Sequence, residues 1–212
     1  MRYYPVFLDI AGKPVVVIGG GDVAFRKVEV LLDAGAAVTV VSPALHPGLE
    51  TLVAAGKLRH IDRAYRPGDV EGYTLAFVGT DDRSANEAVA REGKERGVWV
   101  NAVDDPPNCD FIMPGVVSRG GLIIAVSTSG GSPAMARKMR EEMEAFLTED
   151  WVLMLELAAE VRRELRDRDV TVDPEVWNAA LDAEVKRLLG DGRRAEAKER
   201  LLRALLEPAG ER

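Results

Sequence analysis

The chain has 212 residues, 47% of them hydrophobic and 30% charged, with a formal net charge of −7. That length allows one good-sized domain and a smaller attachment, and the acidic balance argues against a general nucleic-acid or anionic-membrane partner. A single cysteine, Cys109, excludes an internal disulfide and leaves a zinc site short of sulfur ligands.

In chain order, "FLDI" and "PVVVIG" flank a turn at Gly12-Lys13, which predicts a small opening hairpin. Before it, "MRYYPVFLDIAGK" shows no apolar signal core. No later run approaches the roughly 18 apolar residues of a membrane span, so the expected location is the cytoplasm. Residues 23–34 set Ala24, Val28, Leu31 and Leu32 at helical spacing, with Gly35 as the stop. "VTVV" (38–41) predicts a strand, 46–56 a helix, "LRHI" a third strand and "TLAFVG" (74–79) a fourth. Arg83 to Arg96 predicts a helix and "VWVN" (98–101) a fifth strand. Strands alternating with helices of this length imply right-handed crossovers and a parallel sheet.

The rhythm changes after Asn101. "DDPPNCDFIMPG" is proline-rich, and 116–128 predicts a hairpin turning through Arg119-Gly120-Gly121. Ser132 then caps a helix with Pro133 at its first position. Met135, Met139, Met143 and Phe146 make a stripe along it, expected to pack, in the fuller reading against a second subunit. From Trp151 onward the pattern is helical, with breaks at "RDRDVTVDP" and at Gly190–Gly192.

The chemistry begins at "VVVIGGGDVAFRK". Gly19, Gly21 and Ala24 fit G-x-G-x-x-A between a first strand and a first helix. The first glycine allows the tight turn, the second lets backbone approach a pyrophosphate, and the small third residue lets helix and strand pack closely. The positive helix terminus then favours phosphate. An acidic residue is expected about 20 residues on, to hold the ribose, yet the second strand ends "VVSPA" with neither acid nor arginine. NAD is therefore favoured over NADP, with the ribose read by the backbone or by Ser42.

Asp104 and Asp105 lie just beyond the fifth strand, where open α/β sheets place ligands. A carboxylate there takes a proton or orients a substrate; the plain alternative is capping of the turn before Pro106. "STSGGSP" combines hydroxyls, glycines and a helix start, an arrangement suited to anions. Arg119, Arg137, Lys138 and Arg140 are positioned to meet carboxylates, or to be ordinary solvated charges. His46 and His60 are too scattered for a metal site, and Cys109 reads as a small hydrophobe rather than a nucleophile.

Taken together, "GGGDVAFRK", "VVSP", "VGTDD", "NAVDDPPNCDFIMP" and "IIAVSTSGGSPAMARKMR" resemble the precorrin-2 dehydrogenase family, the N-terminal half of siroheme synthases and their free-standing relatives. The similarity covers about residues 1–147; the helical tail matches in position and character. The resemblance implies NAD-dependent oxidation of the tetrapyrrole precorrin-2 to sirohydrochlorin and, in some members, ferrous-iron insertion. It implies a homodimer with an NAD-binding Rossmann domain over 1–113, a dimerisation segment over 114–147 and a small helical C-terminal domain over 148–212. By position, Asp22, Val23, Pro43 and Ala44 fall at the family's NAD contacts, joined here by Gly19, Gly21, Ser42 and Thr80. Asp104 falls on the aspartate central to its chemistry. Thr128 occupies a hydroxyl position that is serine in some members, and Arg119, Ser129 and Arg137 are the accompanying substrate candidates. A methyltransferase half like that of the fused synthases is not expected in this chain. The competing expectation is a non-catalytic, redox-sensing NAD-binding module, which would need the glycine turn but neither Asp104 nor "STSGGSP".

Overall fold

The computed structural model describes residues 3–80, 82–102 and 106–207. They fall into two compact units, 1–113 and 114–212.

The first unit is a five-stranded parallel sheet in the order β3-β2-β1-β4-β5. Its strands are β1 (Pro14–Ile18), β2 (Ala37–Val41), β3 (Arg59–Ile61), β4 (Leu75–Val78) and β5 (Trp99–Ala102). The helices are α1 (Asp22–Asp33), α2 (Pro47–Ala54) and α3 (Arg83–Arg96). Alternate residues of β1 serve opposite faces, as a period of two requires. Val15 and Val17 join Ala24, Val28 and Leu31 of α1 and Leu49 of α2 in one core. Val16 and Ile18 join Val89 of α3 with Val98 and Val100 in the other. Burial on both faces is why β1 reads as an unbroken valine-rich run. The helices change sides between β1 and β4, which opens a crevice at the carboxyl ends of those strands. This is the doubly wound, Rossmann-type arrangement expected from the alternating pattern.

The opening hairpin does not form. Gly12 turns the chain with φ +69° and Lys13 N–H donates to Ile10 carbonyl at 3.0 Å, but residues 4–10 form no strand. The reason is that both edges of β1 are taken: Val15 pairs with Val38 on one side and Leu75 on the other. A buried central strand has no ladder left to offer its upstream neighbour.

In the second unit, β6 (Gly115–Arg119) and β7 (Leu122–Val126) pair antiparallel around Gly120-Gly121. Gly120 has φ +55°, and a Cβ there would stand 2.5 Å from Val152 Cγ1, so glycine is required twice over. Then follow α4 (Pro133–Phe146), α5 (Glu149–Asp167), α6 (Pro174–Ala180), α7 (Ala183–Gly190) and α8 (Arg194–Leu206). α5 buries Met154, Leu157, Val161 and Leu165, a helical stripe, against Val185, Leu188, Leu201 and Leu205 of α7 and α8. The chain breaks once more than expected, at Leu181–Asp182, where the Asp182 carboxylate accepts from Val185 N–H at 2.8 Å and caps α7.

Candidate cofactor site

The glycine turn follows β1 directly. Gly19 N–H donates to Val41 carbonyl at 2.9 Å, and Gly79 N–H donates to Ile18 carbonyl at 2.9 Å. The turn is thereby tied to the ends of β2 and β4. Gly19 sits at φ +116°, and a Cβ on it would stand 2.5 Å from Gly79 carbonyl oxygen. On Gly20 a Cβ would stand 2.1 Å from Ala44 carbonyl oxygen. On Gly21 it would meet nothing within 4 Å. Two glycines are demanded by the protein's own backbone, while the third faces open space.

Gly21 is the N-cap of α1 and supplies no side-chain cap, so the first-turn N–H groups lack the usual protein acceptor. Exposed N–H groups, the positive helix end and an unobstructed approach together fit a pyrophosphate. Asp22, Val23 and Ala24 follow in the first turn. Ala24 is buried against the sheet, as the small third residue of the motif must be. The Asp22 carboxylate is exposed and lies 3.3 Å from His46 Nε2.

The loop after β2 forms the next wall. Pro43 and Ala44 are exposed. Ser42 is only 6% exposed, and its hydroxyl donates to Ala44 carbonyl at 2.7 Å. Its hydroxyl holds the loop's own curve. His46 Nδ1 accepts from Gly48 N–H at 3.0 Å, capping α2, while the ring stacks on Phe25 at 4.5 Å. After β4, Thr80 Oγ1 accepts from Asp82 N–H at 2.9 Å and Asn86 donates to Thr80 carbonyl at 3.1 Å. Gly19, Gly21, Asp22, Val23, Ser42, Pro43, Ala44 and Thr80 thus share the carboxyl edge of the sheet.

Asp104 and Asp105 lie outside the described residues. Their flanks are well anchored. Asn101, 7% exposed, donates to Phe111 carbonyl at 2.9 Å. Cys109 Sγ accepts from Ala102 N–H at 3.2 Å and donates to Ala102 carbonyl at 3.0 Å. Asp110 accepts from Val100 N–H at 2.8 Å. Cys109 is therefore a structural thiol that ties β5 to the returning chain.

Lys27 was not singled out from sequence. It reaches from α1 across the sheet edge, donating to Asn101 Oδ1 at 3.0 Å, with its Nζ 4.9 Å from the Phe77 ring centroid. The legible signal was its position: Lys27 lies on the same helix face as Ala24, Val28 and Leu31, where an apolar residue belongs. Glu92, which is buried, is structural. It accepts from Tyr65 at 2.6 Å and from Gly68 N–H at 2.7 Å and pairs with Arg96 at 2.9 Å, in the last turn of α3. Burial, and then that hydrogen bond, push the Tyr65 phenol well above its ordinary range.

In the second unit, Ser132 Oγ accepts from Met135 N–H at 3.2 Å, capping α4. Thr128 Oγ1 accepts from Ser132 N–H and donates to its carbonyl, each at 3.1 Å. Ser129 adopts φ +54° and is exposed. Arg119, at the end of β6, and Arg137, on α4, are exposed and have no carboxylate partner among the described residues.

Residues 6–115 match the family model described as "Putative NAD(P)-binding". The chain belongs to this NAD(P)-binding family. Residues 119–145 match a second model, the central segment of sirohaem biosynthesis proteins. Among curated relatives, the siroheme synthase of Methylobacillus flagellatus is 40% identical over 79% of this chain and 36% of its own length. That of Methylococcus capsulatus is 37% identical over 96% of this chain and 44% of its own. The chain therefore spans less than half the length of these relatives. Among solved structures, SirC, a precorrin-2 dehydrogenase, superimposes with a TM-score of 0.74 at 25% identity, covering 95% of this chain and 98% of that one. No described helix is long and apolar enough to cross a membrane.

Proposed function

We propose that this chain oxidises precorrin-2 to sirohydrochlorin with NAD⁺ as acceptor. The observation that carries the reading is the uncapped start of α1 beneath Gly21, open to a pyrophosphate, in a chain similar over nearly its whole length to a precorrin-2 dehydrogenase. Bound NAD⁺ supplies a two-electron acceptor for a hydride from the substrate carbon. The chain supplies the rest. Gly19, Gly21, Asp22 and Val23 cradle the pyrophosphate. Pro43, Ala44 and Thr80 line the remainder of the cofactor groove, with Ser42 shaping it from beneath and the loop backbone meeting the ribose. Asp104 takes the proton released as the hydride leaves. Thr128 and Ser129 border the macrocycle, and Arg119 and Arg137 bind its carboxylates through charge-assisted hydrogen bonds. A cytoplasmic setting belongs to this reading. Anaerobic precorrin-2 with NAD⁺, followed by absorbance, tests the assignment; no spectral change would end it. Fe²⁺ or Co²⁺ added to the same cuvette tests metal insertion.

NAD⁺ should exceed NADP⁺ in kcat/KM by at least about tenfold, because a 2′-phosphate would find no cation where β2 ends. Arg63, just past β3, is committed to both Asp69 oxygens at 2.6 and 2.7 Å. Equal values for the two cofactors would refute this.

A homodimer built on 114–147 completes the reading. α4 has no buried residue, and Met135, Met139 and Phe146 are 48%, 36% and 55% exposed. Val116 and Ile123 add exposed apolar surface on the hairpin. A two-stranded hairpin and a helix with an uncovered methionine stripe call for a second surface to pack on. Light scattering should give twice the chain mass, and Met139→Glu with Phe146→Glu should halve it. A monomeric wild type at micromolar concentration would contradict the assignment.

A further inference from the structure

The helical segment carries a cluster of arginines without carboxylate partners among the described residues. Along α5 to α8 six of the nine arginines hold a carboxylate: Arg168, Arg187, Arg193, Arg194, Arg200 and Arg203 are all ion-paired. Arg162, Arg163 and Arg166 are the exceptions, with no carboxylate partner among the described residues. All three line one open groove of about 1110 Å³. Arg162 and Arg166 stand one turn apart on the same face, where like charges repel. Glu160 and Glu164, near enough in sequence to relieve them, are already engaged by Arg194, Lys198 and Arg168.

The rest of the groove is mostly apolar. Leu155, 37% exposed, continues the arginine stripe toward the start of α5, and Val170, also 37% exposed, lies on the chain leaving it. Trp177 of α6, half-buried against the helical core, presents an aromatic wall. One acid, Asp169, also lines the groove, in the left-handed turn that ends α5 at φ +56°. The volume exceeds the roughly 300–1,000 Å³ of an ordinary small-ligand pocket. Three unpaired guanidinium groups beside an apolar and aromatic floor suit a large, flat molecule with several carboxylates at its rim.

We propose that this groove binds a flat polycarboxylate macrocycle at a site separate from the cofactor groove, holding tetrapyrrole beside the enzyme before or after oxidation. The choice of a macrocycle rests on the substrate class proposed above; the choice of a polyanion rests on the arginines alone. Leu155 also adjoins the hairpin that carries Arg119, since a Cβ on Gly121 would stand 3.1 Å from Leu155 Cδ2.

The test is a titration of the full chain with uroporphyrin, a stable octacarboxylate needing neither NAD nor metal, followed in its main absorption band. Wild type should bind two per chain. Arg162→Gln with Arg166→Gln should lose one of them, its affinity falling about tenfold for each guanidinium removed. Glutamine keeps the helix, so the melting temperature should hold or rise as the repulsion disappears. Precorrin-2 turnover at saturating substrate should stay unchanged. A cationic porphyrin of the same ring size should not occupy the groove. Uroporphyrin binding identical in variant and wild type would overturn the proposal, as would equal binding of the cationic ring. A variant that becomes monomeric with unaltered uroporphyrin binding would show that a second copy of the chain covers the groove instead. If the chain fails to oxidise precorrin-2 but the variant still loses one uroporphyrin, the groove stands and the catalytic assignment falls.

Discussion

Replacing Asp104 by asparagine should leave folding and NAD binding intact while kcat for precorrin-2 oxidation falls by roughly 10²–10⁴, the usual worth of a positioned general base. Asparagine nearly matches aspartate in shape but cannot accept a proton at neutral pH, so packing should contribute little to the loss. The flanks support that separation. β5 is tied to the returning chain by Asn101 on Phe111, Cys109 on Ala102 and Asp110 on Val100. Asp105→Asn is the matched control and should cost much less. The macrocycle carries basic nitrogens and solvent can take part of the proton, so a fall of only a few-fold would reduce Asp104 to an orienting role. Near-wild-type turnover in a folded, NAD-binding Asp104→Asn would remove it from the mechanism.

The second large effect divides the glycine turn into two kinds of glycine. Gly20→Ala should both destabilise the fold and abolish NAD binding. Its Cβ would stand 2.1 Å from Ala44 carbonyl oxygen and 2.7 Å from Ser42 Oγ, and backbone cannot swing aside as a flexible side chain can. The loop after β2 must move, straining the 2.7 Å hydrogen bond from His46 N–H to Gly20 carbonyl. Overpacking of that kind costs about 1–3 kcal/mol or more. Gly21→Ala meets no protein atom within 4 Å. It should cost only about 1 kcal/mol as a poorer N-cap, yet weaken NAD at least about tenfold, because the new methyl stands where the pyrophosphate must approach. Thermal melting and calorimetric titration of the two variants separate the cases. Full NAD affinity in Gly21→Ala would move the cofactor off that approach. An undiminished melting temperature in Gly20→Ala would show that the loop after β2 yields to the added methyl.

Much of this protein is written locally. The βα alternation, the glycine turn and Ser132-Pro133 before α4 are decided by residues within a few positions of one another, through turn sterics, capping and hydrophobic period. Those parts were legible in the sequence, and Gly19, Pro43 and Thr80 were expected together as cofactor contacts; parallel strands place the loops that follow them at one sheet edge. What only the tertiary structure decided depends on partners distant in the chain. The opening residues form no strand because β2 and β4, from downstream, occupy both edges of β1. Ser42, a candidate for the ribose, spends its hydroxyl on Ala44 because Gly20 brings that loop within backbone contact. Lys27 finds Asn101, 74 residues away, only once β5 has docked beside β4. Arg162, Arg163 and Arg166 look like any charged helix face in sequence. They stand out because folding gives partners to the arginines around them and leaves these three facing a groove. Local rules set the elements and the phosphate turn, whereas hydrogen-bond commitments and unmatched charge emerge only when distant segments compete for the same partners.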